Sequence, residues 1–315
     1  MLLGLLREME LTEFADMATR IDREGGYREE ASFQSVEGTA TFSMAHLPLA
    51  PTDTGLVICP PILMDLLKNY RYEVMLARTL ASRGIAVQRF HYRGTGHSEG
   101  EESEIRPQTL IEDALDAAGW LQERAGVRKI AFLGTRWGGR VAAAAAAQYS
   151  GAPLVLWDPV VVPGKYIREL LMGRLLREMK DQQGAAALAS RSGAGAARAG
   201  RWEEEMAKDG RVDIFGYALH RWLYDSAGEP APDGLLAGHA RHPVLLVQIS
   251  KSNTHNPDLG KLRRAIEAAG GTCEVAVIRE EPGWLFMGHR LKQAQKLIRL
   301  SAEWLVAQLG VMHHA

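Results

Sequence analysis

The stretch FLGTRWGGRVAAAAA, residues 132–146, decides the fold more than any other part of the sequence. It begins with an apolar strand end and continues through a turn spaced by Gly134, Gly138 and Gly139. The small residues that follow are typical of a helix packed closely against a sheet. A strand that turns sharply into a helix in this way is a building unit of parallel α/β sheets.

The same stretch has the layout of the nucleophile elbow Gly-x-Ser-x-Gly, in which a serine stands on the turn. Here Arg136 occupies the serine position, while Gly134, Gly138 and Gly139 stand where the motif requires them. A guanidinium cannot attack a carbonyl carbon, and it stays protonated at physiological pH. The sequence therefore predicts an elbow without a serine nucleophile.

Strand-like and helix-like segments alternate along most of the chain, which is typical of a parallel sheet covered by helices on both faces. The alternation starts with a hairpin around Glu37-Gly38 and is interrupted between residues 165 and 237. We predict an α/β core made of residues 27–164 and 238–315 and a helical cap insertion at 165–237. Residues 1–26 are predicted to form an N-terminal helical extension.

Three segments define the predicted cap. YIRELLMGRLLREM, residues 166–179, is strongly helical in pattern, and DIFGYALHRWLYD, residues 213–225, is predicted to be a hydrophobic helix. Between them, the small residues of GAAALASRSGAGAARAG, 184–200, favour a mobile loop or a weak helix because they offer little apolar surface to bury.

Composition excludes several classes of protein. The 315 residues contain 37 basic and 38 acidic side chains, so net charge gives no electrostatic argument for binding nucleic acid or a membrane. No apolar run approaches the roughly 18 residues of a membrane span, and the N-terminus lacks the pattern of a signal peptide. Two cysteines, Cys59 and Cys273, suit a reducing compartment. We expect a cytoplasmic protein without cofactor or metal.

From about residue 27, the order of elements resembles the α/β-hydrolase fold, with about eight strands and a cap between the sixth and seventh core strands. FHYRGTGHSEG, residues 90–100, is similar to a loop of that family in which His91 replaces an aspartate. Four further stretches resemble the second type of hydrolase-like proteins associated with the exosortase A system: CPPILMDLLKNYR, LGTRWGG, LWDPVVVPGKYIRELLMGRLLREM and VDIFGYALH. Those proteins also tend to carry arginine at the elbow. This resemblance implies a setting of exosortase-linked or surface-polysaccharide biosynthesis.

The resemblance implies a triad in the order serine, acid, histidine, and each position is replaced in this chain. Arg136 stands for the serine, Ser252 or Asn253 for the acid, and Gly283 or Trp284 for the histidine. Three other residues could supply chemistry, but each has a structural interpretation as well. Asp158 is an acid or an acceptor for turn amides, His255 is a base or a loop residue, and Cys59 is a nucleophile or a buried thiol. His91 is expected to make structural hydrogen bonds.

The loop that supplies the oxyanion hole in this fold is also altered. Pro60 and Pro61 stand there and have no amide hydrogen to donate. The amide of Trp137 remains available, and a second donor would have to come from Ile62 or beyond.

Two roles for Arg136 stay open at this point. Its guanidinium could face the crevice and bind a carboxylate or phosphate, with Trp137, Pro61, Ile62, Asn253 and Trp284 around the ligand. Alternatively, it could form a structural ion pair with Asp158, Glu280 or Glu281. The leading hypothesis is a degenerate hydrolase that binds an anionic acyl or carboxylate ligand or a protein partner. The alternative is a hydrolase or acyltransferase of esters, amides or thioesters, with Arg136 and Asp158 as catalytic residues. A third hypothesis is an interaction module that docks a partner through its cap.

Overall fold

A computed structural model describes residues 18–189, 202–228, 242–250, 256–279 and 291–311, without the side chains of residues 181–189, 227 and 291–294. The strands are β1 Thr19–Asp22, β2 Tyr27–Val36, β3 Thr39–Pro48, β4 Thr54–Cys59, β5 Ala86–Phe90, β6 Lys129–Thr135, β7 Leu154–Trp157, β8 Arg211–Ile214, β9 Tyr217–His220, β10 Pro243–Ile249 and β11 Thr272–Ile278. The helices are α1 Met64–Ala81, α2 Pro107–Ala125, α3 Gly138–Ala146, α4 Pro163–Ala189, α5 Trp202–Asp209, α6 Arg221–Asp225, α7 Pro257–Ala268 and α8 Leu291–Leu309.

Nine of these strands form one mixed sheet in the order β1-β2-β3-β5-β4-β6-β7-β10-β11. The β1–β2, β2–β3 and β3–β5 pairings are antiparallel. The other pairings in this order, from β5–β4 to β10–β11, are parallel. The predicted mostly parallel sheet is therefore confirmed, with one strand more than the eight that were expected.

The additional strand corrects the prediction for the N-terminal segment. Residues 19–22, predicted to be helical, form β1, which pairs with β2 through Asp22 and Tyr27. The turn explains the change: the Asp22 carboxylate accepts a hydrogen bond from the Gly25 amide at 2.8 Å, and Gly26 has a φ of 71°. This Asp–Gly–Gly chemistry favours a reversal over a helix. Residues 1–17 lie outside the described part of the chain.

Helices cover both faces of the sheet, as predicted. On one face, α1 and α8 bury apolar side chains such as Leu80 and Leu305 against the strands. On the other face, α2, α3 and α7 do so through residues such as Leu121, Val141 and Leu262. Because both faces are covered, the carboxyl edge of the parallel strands is where loops are free to form a site.

The cap also differs from the prediction for residues 213–225. A helix was expected there, but β8 and β9 form a hairpin and only Arg221–Asp225 is helical. Phe215 and Gly216 have φ values of 57° and 90°, and the Asp213 carboxylate accepts a hydrogen bond from the Gly216 amide at 3.2 Å. Two successive positive φ values form the tight turn that matches the twist of a hairpin.

The first cap helix, α4, is longer than the helical segment predicted at residues 166–179. It runs 27 residues from Pro163 and includes the beginning of the small-residue segment 184–200. The part of that segment beyond residue 189 lies outside the described residues. Within the described residues, no helix is both long and apolar enough to cross a membrane.

Candidate functional site around Arg136

Arg136 stands on the turn between β6 and α3, at the carboxyl edge of the sheet. Its φ is 53°, a left-handed conformation that costs about 1–3 kcal/mol for a non-glycine residue. Backbone hydrogen bonds hold this conformation: the Arg136 amide donates to the Trp157 carbonyl at 3.0 Å. The Arg136 carbonyl accepts from the amides of Gly139 and Val160, both at 3.1 Å. The turn is therefore held from α3 and from the end of β7.

Close packing explains the glycines around this turn. A Cβ atom on Gly134 would collide with the backbone of Gly138, and one on Gly138 would collide with the carbonyl oxygens of Cys59 and Pro60. At Gly139 the nearest neighbour would be Pro159, at a tight 3.1 Å. Strand, turn and helix approach each other so closely that side chains are excluded at Gly134 and Gly138.

The Arg136 side chain is held by two carboxylates from different parts of the fold. Its Nε lies 3.3 Å from Oδ2 of Asp65, in the first turn of α1. Its Nη2 lies 2.8 Å from Oε2 of Glu169, on the cap helix α4. Tyr166 donates its hydroxyl hydrogen to the same Asp65 oxygen at 3.3 Å, and its ring centroid lies 5.2 Å from the guanidinium carbon. Arg136 thus links the elbow, α1 and the cap.

The two carboxylates differ in their exposure to solvent. The Asp65 side chain is buried, whereas the Glu169 side chain is 52% exposed and that of Arg136 is 13% exposed. Burial raises the pKa of the Asp65 carboxyl, and Arg136 opposes this rise. Burial alone would lower the pKa of Arg136, but Asp65 and Glu169 together raise it. Arg136 is therefore permanently charged, and among the described residues it has one buried and one accessible counter-charge.

Asp158 lies close to the elbow but has another structural role. Its Oδ1 accepts a hydrogen bond from the Ile249 amide at 3.1 Å, and its own amide donates to the Val247 carbonyl at 2.9 Å. Asp158 therefore joins the ends of β7 and β10. Burial raises the pKa of its carboxyl to about 7, against the opposing effects of the Ile249 amide and Arg136.

Comparison with known structures identifies the architecture. Est1E from Butyrivibrio proteoclasticus with ferulic acid bound is 15% identical, with a TM-score of 0.61 over 89% of this chain and 100% of that chain. DcsB in complex with its substrate analogue is 16% identical, with a TM-score of 0.58 over 90% of this chain and 99% of that one. The Pyrococcus furiosus esterase Pf2001 is 13% identical, with a TM-score of 0.57 over 92% and 95% of the two chains. The protein has the α/β-hydrolase fold.

Sequence comparison agrees with this fold. The family model described as serine aminopeptidase, S33, matches residues 69–205, which is less than half of the chain. No curated protein sequence matches the chain significantly.

The loop after β4 carries Pro60, Pro61 and Ile62, the residues of the predicted oxyanion loop. Pro60, Pro61 and Ile62 are buried, and the Pro60 carbonyl accepts a hydrogen bond from the Tyr92 hydroxyl at 3.0 Å. Leu63 follows with a φ of 55° and leads directly into α1. The strained turn at Leu63 starts α1 so that Asp65 contacts Arg136.

Trp137 is buried between the core and the cap. Its ring lies 5.9 Å from Tyr166 of α4 and 6.0 Å from Trp222 of α6, and Arg140 lies 5.3 Å from it on α3. These contacts make Trp137 part of the packing that joins the α/β-hydrolase core to its cap.

Two other candidates have structural surroundings. Cys59 is fully buried, and burial raises the pKa of its thiol, which disfavours the nucleophilic thiolate. His91 accepts a hydrogen bond on Nδ1 from the His97 amide at 3.0 Å, and burial lowers its pKa to about 4. Both are therefore poorly suited to catalysis at neutral pH.

The remaining candidates lie outside the described residues: Ser252, Asn253, His255, Glu280, Glu281, Gly283 and Trp284. Within the ranges that are described, no group of three or more His, Cys, Asp and Glu side chains could hold a metal ion.

The two carboxylates that hold Arg136 were not among the candidates from the sequence. Asp65 belongs to a polar series on α1, with Asn69 and Glu73, that repeats every four residues and is buried in the structure. Such spacing is the only signal in the sequence, and an exposed helix face would show the same pattern. Glu169 gives no signal in the sequence at all.

Proposed function

We propose that this α/β-hydrolase-fold protein is a binding protein that takes an anionic acyl or carboxylate ligand at Arg136 by exchange for Glu169. The proposal rests on one observation. The arginine at the nucleophile position has, among the described residues, two carboxylate partners that differ in their exposure to solvent. Asp65 is buried and also accepts from Tyr166, whereas Glu169 is half-exposed on the cap. A ligand carboxylate that replaces Glu169 leaves the charge around Arg136 unchanged.

The exchange is favourable for electrostatic reasons. An exposed ion pair contributes only about 0–1 kcal/mol, so releasing Glu169 costs little. A ligand carboxylate that reaches the same Nη2 gains a charge-assisted hydrogen bond. Ferulic acid, bound to the similar protein Est1E, is a carboxylic acid and is a suitable probe.

The sequence resemblance to exosortase-associated hydrolase-like proteins supports the proposal that the ligand belongs to surface-polysaccharide or exosortase-linked biosynthesis. A protein partner that docks on the cap belongs to the same proposal, because α4 carries Glu169 and would transmit cap binding to Arg136.

Glu169→Gln tests the exchange. Removing the competing carboxylate is expected to tighten binding of ferulate or octanoate by up to about five-fold, since releasing Glu169 costs at most about 1 kcal/mol and about 1.4 kcal/mol corresponds to a factor of ten. Isothermal titration calorimetry measures the affinity. Glu178→Gln is the matched control, because Glu178 lies on the same helix and pairs with Arg174. Equal affinities for Glu169→Gln and the parent would show that the ligand does not replace Glu169. If no carboxylate binds to either protein, the proposal fails.

A second candidate function is hydrolysis or acyl transfer without a serine nucleophile. The pKa of Asp158, raised to about 7, is in the range that suits a general base. In that case Asp158 would activate water, and Arg136 would stabilise negative charge in the transition state.

The binding proposal predicts an absence of serine chemistry. A fluorophosphonate probe should not label the protein, and p-nitrophenyl acetate should be cleaved no faster than in buffer. Arg136→Ser alone should not create efficient turnover, because triad members act as a unit and Asn253 and Trp284 stand at the other two positions. Esterase activity in the parent that disappears in Asp158→Asn would instead support the second candidate function.

A further inference from the structure

The cap helix α4 exposes an apolar stripe. Met172, Leu176 and Met179 are between 44% and 59% exposed, and their spacing of four and three residues places them on one face of the helix. On most protein surfaces, large apolar side chains that are this exposed occur singly. Three of them on one helix face form an apolar patch.

Basic residues flank the stripe. Arg168 precedes it and Lys180 follows it, and both are exposed. Lys165, one turn before Arg168, is paired with Asp258. The acidic residue on the same face, Glu169, is engaged with Arg136. Glu178, on the opposite side of the helix, pairs with Arg174. The exposed face of α4 is thus apolar in the middle and basic at its ends.

The first two turns of α1 repeat this combination. Leu67 is 61% and Tyr70 is 39% exposed, and Lys68 and Arg71 are the charged residues beside them. Asp65, which joins α1 to Arg136, also interacts electrostatically with Lys68. Leu67 and Tyr70 follow Asp65 by two and five residues, so they lie on the side of α1 away from the Arg136 contact.

We propose that the exposed face of α4 docks reversibly on an anionic lipid surface. Basic residues around apolar side chains are the combination by which an interfacial helix binds anionic membranes. The near-zero net charge of the chain does not oppose this, because attraction to a surface acts over about 8–10 Å and depends on the local residues. A second copy of the chain fits less well, since it would present the same basic residues.

Vesicle binding tests this proposal independently of Arg136. The probes are vesicles of phosphatidylcholine alone and vesicles that contain roughly 30% phosphatidylglycerol, at low salt. The parent protein is expected to co-sediment with the anionic vesicles only, and about 0.5 M NaCl should release it. Leu176→Asp, at an exposed position, should lower the partition coefficient at least about ten-fold without lowering the melting temperature. Ile21→Asp on β1 is the matched control, because Ile21 is equally exposed but distant in sequence from both helices.

Three results would overturn the proposal: no binding to anionic vesicles at low salt, equal binding to both kinds of vesicle, or equal loss of binding in Ile21→Asp and Leu176→Asp. A parent protein that is dimeric by light scattering, and that Leu176→Asp converts to a monomer, would assign the stripe to self-association instead. The carboxylate-binding proposal survives each of these outcomes, because it depends on Glu169 and Arg136.

Discussion

Arg136→Ala is expected to lower the free energy of unfolding by about 3–5 kcal/mol, because it removes the positive charge from the buried carboxylate of Asp65. In the parent, Asp65 has the Arg136 guanidinium at 3.3 Å and the Tyr166 hydroxyl at the same distance. After the change only the hydroxyl would remain of these two contacts. Urea denaturation at pH 7 measures the loss.

Two further variants show whether the loss of stability in Arg136→Ala comes from the broken ion pair or from lost packing. Arg136→Ala combined with Asp65→Asn should recover a large part of the stability, because a neutral amide can still accept from Tyr166 and has no charge to compensate. Glu169→Ala alone should cost no more than about 1 kcal/mol, since its side chain is half-exposed. If Arg136→Ala is as stable as the parent, Arg136 does not hold Asp65. If the double variant is no more stable than the single one, the loss comes from packing.

Glu73→Gln is expected to stabilise the protein at pH 8 by about 3 kcal/mol. Glu73 lies on the buried face of α1, and its Oε1 has no hydrogen-bond partner among the described residues. Burial raises the pKa of its carboxyl from 4.5 to about 7, although Arg89 acts in the opposite direction. The folded state therefore holds this proton more tightly than the unfolded chain. The contribution of Glu73 to stability is therefore greatest below about pH 4.5 and is lost as the pH rises to about 7.

The measurement is the difference in unfolding free energy between Glu73→Gln and the parent at several values of pH. This difference isolates Glu73, because Asp158, whose pKa is also about 7, contributes in the same direction in both proteins. The difference should grow between about pH 4.5 and 7 and then level off. Glu267→Gln, which removes a carboxylate on α7 that pairs with Arg263, is the control for the loss of a single carboxylate. A constant difference for Glu73→Gln would mean that Glu73 is ionised throughout this range.

The alternation of strands and helices could be predicted from the sequence because it follows from local chemistry. Apolar runs end at Pro60 or turn at glycines, and the hairpin at Glu37-Gly38 has the two positive φ values that its turn requires, 48° and 85°. The two wrong predictions, helices at the N-terminal segment and at residues 213–225, also concern local chemistry. The reversals at Asp22–Gly26 and Asp213–Gly216 have the same kind of turn chemistry, but apolar residues around them favoured helices.

The sequence by itself determined that the elbow has no serine and that its turn is closely packed, because both follow from residue identities within 132–146. Only the tertiary structure decided what Arg136 contacts. Asp65 is 71 residues away in sequence and Glu169 is 33 residues away, and neither spacing predicts a contact. The raised pKa values of Asp158 and Glu73 also depend on tertiary structure, because they arise when folding removes water from each carboxyl. Local sequence specifies turns and periodicity, whereas burial and charge pairing depend on which distant segments the fold brings together.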